Sequence, residues 1–205
     1  MADVIKEKKI LAVEGRDEKE FFDALLKHLK VKGYEIHEVG GKDQFKDKMP
    51  ALVRASGFSE VEVLAVIRDA NGDAKATFQS ITNVLKKLEV EEKNLTTPSK
   101  PNQFSTGNPQ IGIYVMPGDS PKGMLEDLCL KTVAKHPAMK CVNEFLDCVG
   151  KLKSKPKNLS KAKAQAFLAA MPKIVNSVGL GAKKKYWNFD STELNKLKSF
   201  LSNLR

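Results

Sequence analysis

The run Val61 to Ile67 constrains the fold most, because it is β-branched and apolar and its last five residues are uninterrupted by any polar side chain. A strand with one wet face alternates polar and apolar positions. An unbroken run therefore predicts a strand buried on both faces, which belongs inside a parallel sheet with helices on either side. Its surroundings agree. Lys9 to Val13 reads as a strand, and Phe21, Phe22, Leu25, Leu26 and Leu29 follow at helical spacing. Tyr34 to Val39 is a second strand, ended by Gly40-Gly41, after which Phe45, Met49, Leu52 and Val53 again repeat as a helix does. Phe78, Ile81, Leu85 and Leu88 place a helix after the buried run. A long polar loop from Lys93 to Pro109 precedes a fourth strand at Ile111 to Met116, and Leu125, Leu128, Cys129 and Val133 mark the next helix.

Alternating strands and helices predict an α/β fold, a mainly parallel sheet flanked by helices over residues 1–137. Beyond it no strand pattern remains. Residues 138–205 read as a helical, lysine-rich region packed on or linked to the sheet domain, with a lysine-rich linker from Lys151 to Lys157, a helix from about Ser160, and a last helix behind an Asp190-Ser191-Thr192-Glu193 capping pattern.

With 205 residues, 41% hydrophobic and 29% charged, the chain is composed like a soluble globular protein. Val63 to Ile67 falls far short of the roughly 20 apolar residues that cross a bilayer, so no membrane is expected. The opening Met-Ala-Asp leads to Lys6, Glu7, Lys8 and Lys9 with no apolar segment of signal-peptide type. Cys129, Cys141 and Cys148 are odd in number and match no disulfide or zinc spacing, and the expected location is a reducing cytoplasm. Cys129 and Cys148 fall on apolar helix faces, where a buried thiol is expected.

Charge is unevenly spread. Residues 1–130 carry 19 Lys/Arg against 21 Asp/Glu, and residues 131–205 carry 16 against 4, so the net charge of +10 divides into −2 and +12. This division fits a polyanion gripped by one part and handled by the other, and it also fits solvated lysines.

Parallel sheets bind ligands beyond the carboxyl ends of their strands. Here those ends are acidic: Glu14 to Glu18 after the first strand, Asp69 and Asp73 after the third, Asp119, Glu126 and Asp127 after the fourth. Clustered carboxylates repel unless protonated or neutralised, and oxygen donors of this kind suit Mg²⁺ or Mn²⁺. Asp17, Asp73 and Asp119 precede helices and read as caps. Glu14 and Asp69 directly follow buried strands and are the stronger site residues.

Leu11-Ala12-Val13-Glu14-Gly15 followed by a helix, with Val66-Ile67-Arg68-Asp69-Ala70-Asn71 after a later strand, resembles the Toprim superfamily of topoisomerases, primases and related nucleases. Gly40-Gly41-Lys42 and Gly123-Met124-Leu125-Glu126-Asp127 add matches to small stand-alone prokaryotic members and to the nuclease part of overcoming-lysogenization-defect proteins. The resemblance covers about residues 8–130. It implies that Glu14 acts as metal ligand or general acid/base and Asp69 as main ligand, that Asn71 or Asp73 supplies a supporting oxygen, and that Glu126 or Asp127 completes a second metal position. Asn71 stands where the family pattern has a second Asp. No topoisomerase is expected, since the tyrosine-bearing portion that strand passage requires is not seen in this sequence and Tyr34, Tyr114 and Tyr186 read as packing or surface residues.

No nucleotide-binding glycine motif and no nucleophile triad assembles. Lys42 could meet a phosphate at a helix N-terminus. Lys153, Lys155 and Lys157, with Lys183, Lys184 and Lys185 ahead of Tyr186-Trp187, could grip a phosphate backbone, or remain solvated while Trp187 plugs the core. The expectation is a divalent-metal-dependent phosphoryl-transfer protein, a nuclease acting on nucleic acid. The alternative is a non-catalytic module that binds nucleic acid or protein through a degenerate site, and a protein partner or a homodimer is compatible with either.

Overall fold

The computed structural model describes residues 4–92 and 95–204; the initial Met-Ala-Asp and Lys93, where the sequence places the start of the polar loop, lie outside the described residues. Five strands, β1 (Lys9–Val13), β2 (Tyr34–Glu38), β3 (Val63–Asp69), β4 (Gln103–Phe104) and β5 (Gln110–Met116), form one sheet in the order β2-β1-β3-β5-β4. All neighbouring pairs are parallel except β4 with β5. The fold is α/β. β3, the run expected to be covered on both faces, is buried at every residue.

Side chains alternate across this sheet, and two apolar clusters result. Leu11, Val13, Ala65 and Ile67 pack against α1 (Arg16–His28) and α4 (Leu125–Thr132). Ile10, Ala12, Leu64 and Val66 pack against α2 (Lys42–Val53) and α3 (Ala74–Glu92). The helices after residue 137, namely α5 (Ala138–Val149), α6 (Leu159–Ala169), α7 (Val178–Lys183) and α8 (Asn195–Leu201), extend the first cluster. Phe167, Trp187, Leu197 and Leu201 share it with Phe21 and Leu25 of α1. Trp187 is core: its ring stacks on Phe167 with centroids 5.2 Å apart, and its Nε1–H donates to the Val178 carbonyl at 2.8 Å.

Two elements were not placed from the sequence, β4 in the polar loop and α7 within the region read as helical, each for a local reason. The polar loop contains β4, a strand of only two residues. Its Phe104 ring fills the space over Gly112 of β5, where an added Cβ would sit 2.4 Å from ring carbons, and it stacks on Phe200 of α8 at 4.6 Å. α7 is six residues long and contains two glycines. It rides directly on α1, because a Cβ at Gly179 would lie 2.6 Å from the Asp17 carbonyl oxygen and from Glu20 Cβ. Cys129 is buried as expected, whereas Cys148 is exposed, since α5 turns only Met139 and Val142 fully inward.

Candidate metal and phosphoryl-transfer site

β1, β3 and β5 end on the same rim, and the residues that follow them meet there. Glu14 leaves β1 and reaches sideways across the end of β3. Its Oε1 accepts from Arg68 Nε at 3.2 Å and from the Asp69 backbone N–H at 3.3 Å. The close pass of Gly41, whose added Cβ would lie 3.2 Å from Glu14 Oε2, leaves the carboxylate room beside the start of α2. Arg68 itself is 4% exposed, and its guanidinium lies over the Phe45 ring at 5.2 Å. A buried guanidinium needs a partner charge, and Glu14 supplies it.

Asp69, the next residue, points to the opposite side of the sheet. The residue is 8% exposed, and its carboxylate accepts the backbone N–H of Leu125 at the start of α4, 3.0 Å away. Burial pushes its pKa well above the ordinary carboxylate value, and the charges of Glu14, Glu18 and Glu126 push it further up, while the Leu125 N–H works against them. Glu18 and Glu126 also titrate above the usual range. Burial leads in both, and nearby acids add to it, Glu14, Asp17 and Glu126 for Glu18, and Asp17 and Asp127 for Glu126. Lys161 Nζ, 3.9 Å from Glu126, offsets part of this. The acids of the rim thus crowd one another, with Asp69 deepest among them.

The other expected residues have separate employment. Asp73 caps α3, its Oδ1 accepting from the N–H groups of Lys75 at 2.8 Å and Ala76 at 3.1 Å. Asn71 adopts a left-handed φ of 50° and exchanges backbone hydrogen bonds with Gly123 at 2.7 and 3.0 Å, which ties the β3 loop to the loop before α4. Asp127 accepts the Met124 N–H at 2.9 Å and the Ser160 hydroxyl, so it fixes the start of α4 to that of α6. Asp17, read as a cap of α1, instead takes the N–H groups of Val178 and Gly179 at the start of α7. Asp119 pairs with Lys131 at 2.8 Å rather than capping α4, which starts several residues later. A cavity of about 420 Å³ opens beside Asn71, Gly123 and Ser160, with Lys122 and Lys131 on its wall.

Lys42 is exposed at the first position of α2, and Lys153, Lys155 and Lys157 are exposed in the segment leading into α6. Because α6 docks its N-terminus on α4, that lysine segment arrives at the acidic rim. Lys183, Lys184 and Lys185 are exposed on the other flank, where Lys183 pairs with Glu20 at 3.1 Å.

Two residues at the rim were not singled out as site residues from the sequence. Glu18 lies in the first turn of α1 and leans back toward the rim, as helical side chains do. Its signal was the acidic run after β1. Arg68 announces itself only as a charge closing an otherwise apolar, doubly covered strand.

The rim offers hard oxygen donors of the type that hold Mg²⁺ or Mn²⁺, and their mutual crowding is what a dication relieves. Among the described residues, no three His, Cys, Asp or Glu side chains converge into a ready-made cage. Closing on an ion would fall to rotation of Glu18 and Glu126, whose side chains are long and partly exposed.

No curated protein matches the chain. Among solved structures, the C-terminal region of the Burkholderia pseudomallei OLD protein is similar to it at 13% identity and a TM-score of 0.48, over 98% of this chain and 100% of that one. The C-terminal region of the Xanthomonas campestris pv. campestris OLD protein, in a structure phased with mercury, is similar at 13% identity and a TM-score of 0.49, over 98% of each chain. Residues 8–205 match the model of the family described as "Protein of unknown function (DUF3226)", and the chain belongs to that family.

Proposed function

We propose that this chain is a divalent-metal-dependent phosphoryl-transfer protein that acts on nucleic acid, most concretely a nuclease. One observation carries the reading: a carboxylate, Asp69, is held almost wholly buried at the end of the central strand with Glu14, Glu18 and Glu126 around it. Such an arrangement costs stability unless a proton or a cation neutralises it. Resemblance of the Glu14 and Asp69 segments to the Toprim pattern supports the same reading.

Asp69, Glu18 and Glu126 would hold Mg²⁺ or Mn²⁺, with Glu14 at its edge; when bound, the ion supplies Lewis-acid polarisation of a phosphoryl oxygen. The remaining work belongs to the chain. Leu125 N–H holds the Asp69 carboxylate in orientation, and Arg68 holds that of Glu14. Lys161 and the lysines before α6 draw a phosphate backbone toward the rim, where their charge opposes that of the acids.

The test is Mn²⁺-dependent cleavage of single- and double-stranded DNA and RNA. Asp69→Ala should lose at least about 100-fold of the metal-dependent rate, since it removes the deepest oxygen donor. Cleavage that survives unchanged in Asp69→Ala would show that the activity comes from elsewhere.

A second reading, a binding module without catalysis, is favoured by Asn71 and Glu14. Asn71 presents an amide where the resembled pattern has a second carboxylate, and its bridge to Gly123 uses only its backbone, while Glu14 is paired with Arg68. It predicts no cleavage by wild type or Asn71→Asp at saturating Mn²⁺, together with salt-dependent retention of nucleic acid.

A further inference from the structure

A second recess lies away from the acidic rim. It is a groove of about 1080 Å³ between the last turns of α1, the segment after α4 and the segment after α7. α1 rises about 1.5 Å per residue, so His28 lies roughly 15 Å along the helix from Glu18. The carboxylate site and this groove are therefore separate places, and nothing in the phosphoryl-transfer reading uses the groove.

Its floor is apolar. Val133, Ala182, Trp187 and Phe189 line it and are each at most 7% exposed, with Phe189 braced edge-on against Phe21 at 5.6 Å. Four lysines and two aspartates stand on the wall, and half of these charges are already matched. Lys27 pairs with Asp23 at 2.7 Å and Lys183 with Glu20 at 3.1 Å, while Asp190 shares a hydrogen bond with His28 at 3.0 Å. Lys135 and Lys185 have no ionic partner among the described residues. His136 adds a directed donor: its Nδ1 accepts the Ala138 N–H at 3.2 Å, so in the neutral ring Nε2 carries the hydrogen. Among the other lining residues, Asp190 keeps one carboxylate oxygen beyond its His28 bond, and Asn188, whose Oδ1 takes the Asp190 N–H, keeps its amide hydrogens.

These features set the chemistry of an occupant. It needs a flat apolar body to cover the floor, polar edges for Asp190 and Asn188, and an anionic group for Lys135, Lys185 and His136. Inorganic phosphate satisfies only the last, and an uncharged apolar molecule only the first. The volume slightly exceeds the roughly 300–1,000 Å³ of small-molecule sites. We propose that this groove binds a nucleotide, with its base on the Trp187 and Phe189 side and its phosphate between Lys135, Lys185 and His136. The basic Lys183-Lys184-Lys185-Tyr186-Trp187 motif then acts as one wall of a site, through its lysines at the rim and its tryptophan in the floor.

Trp187 is the chain's only tryptophan, so emission excited selectively in tryptophan reads the floor of this groove. AMP, adenosine and inorganic phosphate are titrated separately into the full chain, with calorimetry in parallel and a short single-stranded oligoadenylate as competitor. AMP should change Trp187 emission saturably and bind at least about tenfold more tightly than adenosine or phosphate. Lys135→Glu and Lys185→Asn should each weaken AMP about tenfold. Both positions are exposed, and asparagine tolerates the left-handed φ of 60° at Lys185. Lys86→Glu, an exposed change on α3 with the same charge as Lys135→Glu, should leave AMP binding unaltered. Competition by the oligonucleotide would identify a strand end as the natural source of the nucleotide, and its failure to compete would identify free nucleotide. No saturable response to AMP at several millimolar, equal affinity for phosphate and AMP, or equal weakening by Lys86→Glu would each overturn the proposal. Because the readout is binding at Trp187, its failure is distinct from any loss of metal-dependent cleavage.

Discussion

Arg68 and Asp69 are adjacent in β3, both almost fully buried, and they face opposite sides of the sheet. On the α2 and α3 side the positive charge is matched: Glu14 lies on Arg68 Nε, and Phe45 lies under the guanidinium. On the α1 and α4 side the negative charge has one backbone N–H and is otherwise surrounded by acids. The first face pairs its charge, although Arg68 Nη1 stays buried without a hydrogen-bond partner among the described residues. The second leaves its charge open, and it is there that a cation is proposed.

The largest effect that could break this contrast is expected at Glu14. Glu14→Ala leaves the Arg68 guanidinium buried without a counter-charge and should cost about 3–5 kcal/mol by urea unfolding. If it costs no more than an ordinary surface substitution, Arg68 is satisfied by something other than Glu14 and the matched face is not matched by this pair. Arg68→Met should cost less, about 2–3 kcal/mol, because the abandoned Glu14 side chain is already 21% exposed and can rehydrate. The order of these two values sharpens the comparison more than either alone.

On the open face, Asp17→Ala should cost about 1–2 kcal/mol, since it frees the Val178 and Gly179 N–H groups at the start of α7. Hydrogen exchange at those amides should accelerate with it. An unchanged exchange rate would mean that packing of α7 on α1, rather than Asp17, holds the helix start.

The smallest expected effect has a sign rather than a size. The folded pKa of Asp69 lies above its unfolded value, so the folded state holds the proton more tightly. Asp69 burial is therefore tolerated below the ordinary carboxylate pKa and becomes unfavourable as pH rises toward the folded value. In chelator, Asp69→Asn should match wild type in acid and become the more stable of the two toward neutral pH. Thermal melts across pH check this, and a wild type that is the more stable at neutral pH would reverse the assignment of Asp69 to an uncompensated face.

How far the sequence revealed these features depended on the range of the interactions behind them. β1, β3 and β5 were legible as apolar runs and β2 as the alternating segment Tyr34–Glu38 stopped by Gly40-Gly41, each followed by a helix of clear period. β4 was not, because Gln103–Phe104 pairs only where Gly112 makes room for a ring, and α7 was not, because Val178–Lys183 owes its helix to α1 rather than to its own residues. At the site, Glu14 and Asp69 could be picked from their position after buried strands. Their unequal surroundings could not, because Arg68 sits beside Asp69 in sequence but on the far side of the sheet, and Glu18 and Glu126 reach the rim from two different helices. Asp73 shows the converse: its place before α3 was enough to read it as a cap.

The central claim is that the crowded acids around Asp69 form a cation site. The most direct measurement is the melting temperature of wild type and Asp69→Asn as Mn²⁺ is titrated after chelator treatment. Saturable binding to the folded state alone raises wild-type stability by mass action. The account predicts a saturable rise for wild type and little or none for Asp69→Asn, with the variant starting higher at neutral pH. A wild type that does not respond to Mn²⁺, or a variant that responds equally, would contradict it.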